Sequence, residues 1–277
     1  MKTLQTCIAV IMMGLILIMV LVGIASARES GHESGHESDR GAKLFAANAG
    51  GILFITGWGI ANWDYGQETP STTSEGWFGQ GTDTGGADKL GHAYATYFLS
   101  HGLSHSCSKW GYSETEAPLY GSLSAFGLMG FMEVGDAFSS YGLSHEDFLM
   151  NAVGAFVGYA TQRFPGVSER LDFRLEYTPS FDEPDILTDY NHMKFLAALK
   201  LGGFHRFSTG FPQYLEFHLG YYTRGYDDAT APRRYLYGGI GLNLSRIFQK
   251  RYFPRISSAL RYLQVPHTDL QFRTSPL

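Results

Sequence analysis

Residues 144–177 read SHEDFLMNAVGAFVGYATQRFPGVSERLDFRLEY, and this one stretch carries both halves of the fold. It opens with Ser144 and, three residues on, Asp147, a hydroxyl and a carboxylate at the spacing of a reciprocal helix cap. An apolar run follows, with Gly154 and Gly158 four apart. Glycine costs a helix interior about 1 kcal/mol relative to alanine, but it lets a neighbouring backbone come close. After Gly166 the period changes to two: Leu171, Phe173, Leu175 and Tyr177 alternate with Arg170, Asp172, Arg174 and Glu176, the pattern of a half-buried strand. The expected class is therefore α+β, a glycine-rich apolar helical bundle followed by a small antiparallel β-sheet.

Toward the N-terminus the helical reading extends to residues 114–138, capped by Ser113 with Glu116 and carrying Gly121, Gly127, Gly130 and Gly135, and to residues 87–106. Residues 42–62 form a further apolar stretch, interrupted by glycines and long enough to cross a bilayer. Toward the C-terminus, three more period-two runs occupy residues 192–201, 214–222 and 235–245, separated by Gly, Pro and Asp turn signals. Four strands with a charged face on the first cannot close a membrane barrel, so the sheet's apolar face is expected to cover the helices or a membrane interface. The domains expected are a bundle at 42–165, an antiparallel sheet at 166–248 and a basic aromatic tail at 249–277.

The N-terminus points to export. Lys2 precedes an apolar run from Cys7 to Ala25, and Ala25-Ser26-Ala27 has the small-x-small form of a cleavage site, so residues 1–27 read as a signal peptide. Residues 28–41, with a tandem Gly-His-Glu-Ser repeat and no large apolar side chain before the helices, read as a disordered spacer. The only other cysteine is Cys107, so the mature chain has no internal disulfide, and no cysteine ends the leader where acylation would need one.

Composition narrows the classes. At 277 residues with 44% hydrophobic content the chain has ample material for a core, which excludes global disorder. Aromatics at 15% against 17% charged residues shift the balance toward buried or membrane-adjacent surface. Between Ala229 and Thr268 there are seven basic residues and no acidic one: Arg233, Arg234, Arg246, Lys250, Arg251, Arg255 and Arg261. For an exported protein this favours a membrane lipid or lipopolysaccharide as partner, and no nucleic acid.

The residues that could carry chemistry lie on the apolar helices. Asp88 and His92 are four apart and share a helix face, next to Lys89. Glu133 and Asp136, three apart, and Asp147 with Asn151, four apart, give the next two helices one polar face each, and Ser144 caps the last. Such groups are costly to bury unless matched. A register-fixing hydrogen-bond network needs no reactivity. A hydrolase or transferase would use His92 as general base, oriented by Asp88, with Glu133 or Asp136 placing the substrate. A metal site drawn from the same residues has only one histidine and no Glu-x-x-His pair, so no metal and no cofactor are expected. The function expected is a non-enzymatic envelope protein that engages lipid or glycan, with a membrane-proximal hydrolase or transferase centred on His92 as the alternative; whether the protein is an enzyme, and its oligomeric state, stay open in the sequence.

The order Gly76-Trp77-Phe78-Gly79, Gly85-Gly86-Ala87-Asp88-Lys89-x-Gly91-His92, Glu133-x-x-Asp136 and Gly142-x-Ser144-x-x-Asp147-x-x-x-Asn151-x-x-Gly154 resembles the YfiM-like predicted periplasmic lipoproteins, a domain family of unknown function. The resemblance extends over roughly residues 42–263 through Asp189-Tyr190-Asn191, Pro212 to Gly225 and Arg233 to Ile247. The Asp-Lys-x-x-His, Glu and Ser-x-x-Asp-x-x-x-Asn series is also similar to VanZ-like membrane proteins, which tend to have Gln where Asp136 stands and lack the sheet. These likenesses imply an envelope location and a lipid-related role, and no known catalysis.

Overall fold

The computed structural model describes residues 35–178, 187–226, 231–249 and 253–277. The expected signal peptide, the first half of the spacer (28–34), and Lys250 and Arg251 of the basic tail lie outside the described residues. The described residues divide into two compact units, one of residues 35–75 with 95–159, the other of 76–94 with those described from 160 to 277.

The first unit is helical. It contains α1 (Gly35–Asn62), most of α2 (Ala87–Lys109), α3 (Glu116–Asp136) and most of α4 (His145–Arg163), with β1 (Thr72–Thr73) and β2 (Leu143–Ser144) paired in parallel. Residues 35–41, expected within a disordered spacer, form the first two turns of α1; Arg40 there pairs with Glu116 at 3.3 Å. The Ser113–Glu116 cap forms as expected, Ser113 N donating to Glu116 Oε2 at 2.9 Å and Glu116 N to Ser113 Oγ at 3.2 Å. Asp147 N likewise donates to Ser144 Oγ at 3.3 Å.

The helical glycines are where backbones meet. A Cβ on Gly121 would stand 2.2 Å from Ser104 Oγ and 2.4 Å from Ser104 N, so α3 touches α2 backbone to backbone. A Cβ on Gly158 would stand 2.6 Å from Ser100 Cβ, and one on Gly51 2.8 Å from Leu128 Cδ2. Tyr65 is held between Gly59 and Gly135, its hydroxyl donating to Met132 O at 3.0 Å. The outward sides are apolar: Leu53 on α1 and Phe156 on α4 are 73% and 69% exposed. Within α1, Asp39–Asn62 is long and apolar enough to cross a membrane, with mean hydropathy 1.5 and only 6% of that window buried.

The second unit is built on a six-stranded sheet in the order β7-β3-β4-β5-β6-β8, comprising β3 (Leu171–Tyr177), β4 (Met193–Lys200), β5 (Leu215–Arg224), β6 (Arg233–Leu242), β7 (Leu263–Gln264) and β8 (Asp269–Arg273). Short helix α5 (Pro165–Ser168) leads from α4 into β3, and α6 (Leu244–Gln249) and α7 (Pro254–Ala259) lie between β6 and β7. The four expected strands are present and antiparallel to one another, but the sheet is mixed, because β7 adds parallel to β3. The stretch read as a tail supplies both edges, β7 and β8, which are too short to show a clear period.

Burial shows which face of the sheet is covered. Asp172, Arg174 and Glu176 are buried on β3, whereas Leu171, Phe173 and Leu175 are half-exposed. The register carries this parity across: Asp172 faces Ala198, which faces His218, while Phe173 faces Ala197, which faces Leu219. The charged face is thus the covered one, and much of the apolar face is open, with Leu219 60% and Leu270 70% exposed. Period two fixes which residues share a face but not which face is buried.

Candidate functional site

The expected site residues fall in both units. Asp88, Lys89 and His92 open α2 in the second unit; Glu133, Asp136, Ser144, Asp147 and Asn151 belong to the first.

In the second unit, two glycines at positive φ, Gly85 (+66°) and Gly86 (+83°), turn the chain into α2. A Cβ on Gly85 would stand 2.5 Å from the Tyr226 hydroxyl, and the Gly85 carbonyl accepts from the Tyr221 hydroxyl, so this turn tolerates no side chain. Asp88 then accepts from the Thr84 hydroxyl at 2.6 Å and from the fully buried Lys89 ammonium at 2.7 Å. Burial alone would raise the Asp88 carboxyl; Lys89, Thr84 and the nearby His92 outweigh it and hold Asp88 below the usual carboxylate range. An ionised carboxylate in this position can orient an imidazole one turn on. The position is fixed from beyond: Tyr94 packs edge-on to Phe173 with centroids 5.7 Å apart and donates to Tyr262 O at 2.8 Å.

In the first unit, Asn151 joins two helices to its own. It donates from Nδ2 to Glu133 Oε1 at 3.1 Å and accepts at Oδ1 from the Thr96 hydroxyl at 3.0 Å, all three residues being essentially solvent-free. Thr96 is absent from the expected set, yet it continues the four-residue spacing of Asp88 and His92 along α2, so the helical period could have found it. Glu146, also missed, is buried and accepts from Ser74 at 2.8 Å and Ser144 at 3.3 Å. Asp136 lies beside Tyr65, where burial first and then this carboxylate push the phenol up.

The largest missed constellation is on the covered face of the sheet. Arg174 forks onto Glu216 at 2.6 and 2.9 Å and reaches Asp172 at 3.1 Å. Lys200 meets Asp172 at 2.6 Å, and His218 lies between Asp269 at 2.7 Å (Nδ1) and Glu216 at 2.9 Å (Nε2). Burial would depress the His218 imidazole, but its hydrogen bonds and charge pairing with Asp269 and Glu216 more than reverse that, leaving it raised. Burial is likewise outweighed at Glu216 and Asp269, which are lowered. Both His218 nitrogens are engaged, so this cluster offers no imidazole lone pair to a metal. The parity was legible in sequence, since β3 offers Asp172 and Arg174 at the parity at which β4 offers Lys200 and β5 offers Glu216 and His218; that this face is the covered one was not.

The helices hold buried polar groups and the sheet buries a charged face, while large apolar side chains on both stay open. Residues 74–163 match the family described as predicted periplasmic lipoprotein (DUF2279). That match includes α2, α3, α4 and all eight expected site residues, ends before β3, and is narrower than the expected 42–263. It agrees with export to the periplasm or envelope and with a domain whose function is unknown. No curated protein and no solved structure matches the chain.

Proposed function

We propose that this is a non-enzymatic envelope protein that engages membrane lipid. One observation carries the reading: in each unit separately, buried positions include paired polar and charged groups beside a modest apolar core, while many open positions hold Leu, Phe and Ile. On α1 Phe45, Leu53, Phe54 and Ile60 are exposed, and on the sheet Phe217, Leu219, Leu270 and Phe272. Exposing so much apolar surface to water is unfavourable by roughly 25 cal/mol per Å², which a bilayer would relieve. The exposed Arg255 suits anionic headgroups, including lipopolysaccharide at an outer membrane. In this reading the Glu133–Asn151–Thr96 network fixes helix register.

Membrane fractionation tests it. The full chain should stay with membranes through alkaline carbonate and leave only with detergent; release by carbonate alone would overturn the proposal. A second reading, a hydrolase or transferase with His92 as general base, rests on the ionised Asp88 one turn away on α2. His92→Ala separates the two: loss of a turnover with folding intact supports the enzyme, whereas a lowered melting temperature without a lost activity supports the structural role.

A further inference from the structure

In the second unit, the chain leaving β4 turns through Leu201–Gly203 and passes beside the start of β3 and helix α6, enclosing a cavity of about 610 Å³. That lies within the usual range for small-molecule sites, roughly 300–1,000 Å³. Three arginines, Arg170, Arg246 and Arg261, and Lys200 line it, against a single acidic side chain, the exposed Glu169. Buried Asn243 and Ser245 complete the polar wall.

Among the described residues, the cations at this cavity outnumber the carboxylates beside them. Asp172 is shared by three cations, Lys200 at 2.6 Å, Arg174 at 3.1 Å and Arg261 at 3.5 Å. Arg246 is held only by neutral oxygens: Gln213 Oε1 at 3.0 and 3.2 Å, and the Gly202 and Ser208 carbonyls at 3.5 Å. Arg170 donates to Gly166 O at 2.8 Å and stacks 5.2 Å above the Phe204 ring. Among the described residues neither of these two guanidiniums has a carboxylate partner. A guanidinium positioned by neutral dipoles keeps its full attraction for an incoming anion.

The cradle is also shaped for approach. A Cβ on Gly202 would stand 2.5 Å from Gln213 O and 3.0 Å from Arg246 Nη1, and one on Gly203 2.3 Å from Glu169 O. Asn243 commits its carbonyl to Ser245 Oγ at 2.8 Å and Arg246 N at 2.9 Å, so what it has left to offer is its amide N–H donors. Lys200 uses two N–H bonds on Ser168 O and Asp172, each at 2.6 Å, and has a third. Burial pushes the Lys200 ammonium below its ordinary value; Asp172 opposes this, and Arg261 and Arg174 add to it.

We propose that this cavity binds a phosphomonoester dianion, presented either by a lipid headgroup or by a soluble phosphorylated metabolite, with Arg246 and Arg170 as its principal partners. A dianion matches two forked guanidiniums plus neutral donors better than a single carboxylate would. The assignment stands apart from the membrane reading, because it needs only the second unit's own residues.

The test is calorimetric titration of the full-length protein in detergent with glycerol 3-phosphate at low ionic strength. Saturable binding is expected, weakened by added salt and weakened at least ~10-fold, or about 1.4 kcal/mol, by R246Q and by R170Q. Arg170 is exposed, so R170Q should leave the melting temperature unchanged and guards against misfolding of R246Q. No saturable binding to the folded wild type, or equal binding by both variants, overturns the site. Vesicle flotation identifies the source: recruitment to phosphatidic acid vesicles that R246Q abolishes and glycerol 3-phosphate competes away assigns a headgroup, whereas recruitment indifferent to R246Q assigns a soluble ligand. L219S and L270S, on the open face of the sheet, should reduce vesicle adsorption without changing glycerol 3-phosphate binding; failure of that pair counts against the membrane reading alone.

Discussion

Glu216→Gln is the sharpest probe of the buried charge network, because it changes one charge and almost no volume. Glu216 is fully buried and accepts from both Arg174 nitrogens and from His218 Nε2. The amide retains one acceptor oxygen but turns an NH2 toward donors, leaving Arg174 short of a counter-charge. Removing one partner of a buried pair costs about 3–5 kcal/mol, a large share of the roughly 5–15 kcal/mol by which domains are stable. Urea unfolding followed by exchange of the β3–β5 amides reads the loss. The paired replacement R174M/E216M should recover most of it, since apolar residues of similar volume often substitute for a buried ion pair without penalty. An E216Q protein within about 0.5 kcal/mol of wild type, the range of an ordinary surface substitution, would refute the argument that this network holds the sheet.

Other outcomes follow from the same geometry. His218 is raised, so its contribution is complete below its unfolded value of about 6.5 and fades as pH rises through the folded one; lowered Glu216 and Asp269 contribute above about 4 and fade as pH falls. Sheet stability should therefore peak between those limits, and a flat profile across pH 4–9 would contradict this. Gly121→Ala, with its methyl 2.2 Å from Ser104 Oγ, should cost about 1–3 kcal/mol. Gly127→Ala on the same helix, where a Cβ meets nothing within 4 Å, should be neutral or stabilise by up to about 1 kcal/mol. Asn151→Ala should lower stability by about 2 kcal/mol, since Glu133 and Thr96 each lose a buried hydrogen bond, and thermal melts of the three helix variants give the order.

Local chemistry carried most of what was legible. The Ser113–Glu116 and Ser144–Asp147 spacings placed two helix starts because a cap is satisfied within four residues, and alternation placed β3 to β6. The glycines at 121 and 158 announced close backbone contact, which Ser104 and Ser100 supply. What escaped depended on distant sequence. Nothing near Asp172 says that Lys200 and Arg261 will meet it, and residues 263–264 are too few for any periodicity. Arg246 read as one charge of a basic run, whereas its place beside Gly202 and Gln213 arises only when the strands assemble. Orientation was the deeper difficulty, since alternation is symmetric between a sheet that buries its leucines and one that buries its arginines.

That inversion has an evolutionary corollary. In most sheets conservative drift is tolerated on the charged side and punished on the oily one. Here the ranking should reverse: leucines 219 and 270 would wander freely among greasy alternatives, while aspartate 172, arginine 174 and glutamate 216 could change only in concert, so that diverged descendants of this chain would betray the arrangement by correlated exchange of sign at those three positions.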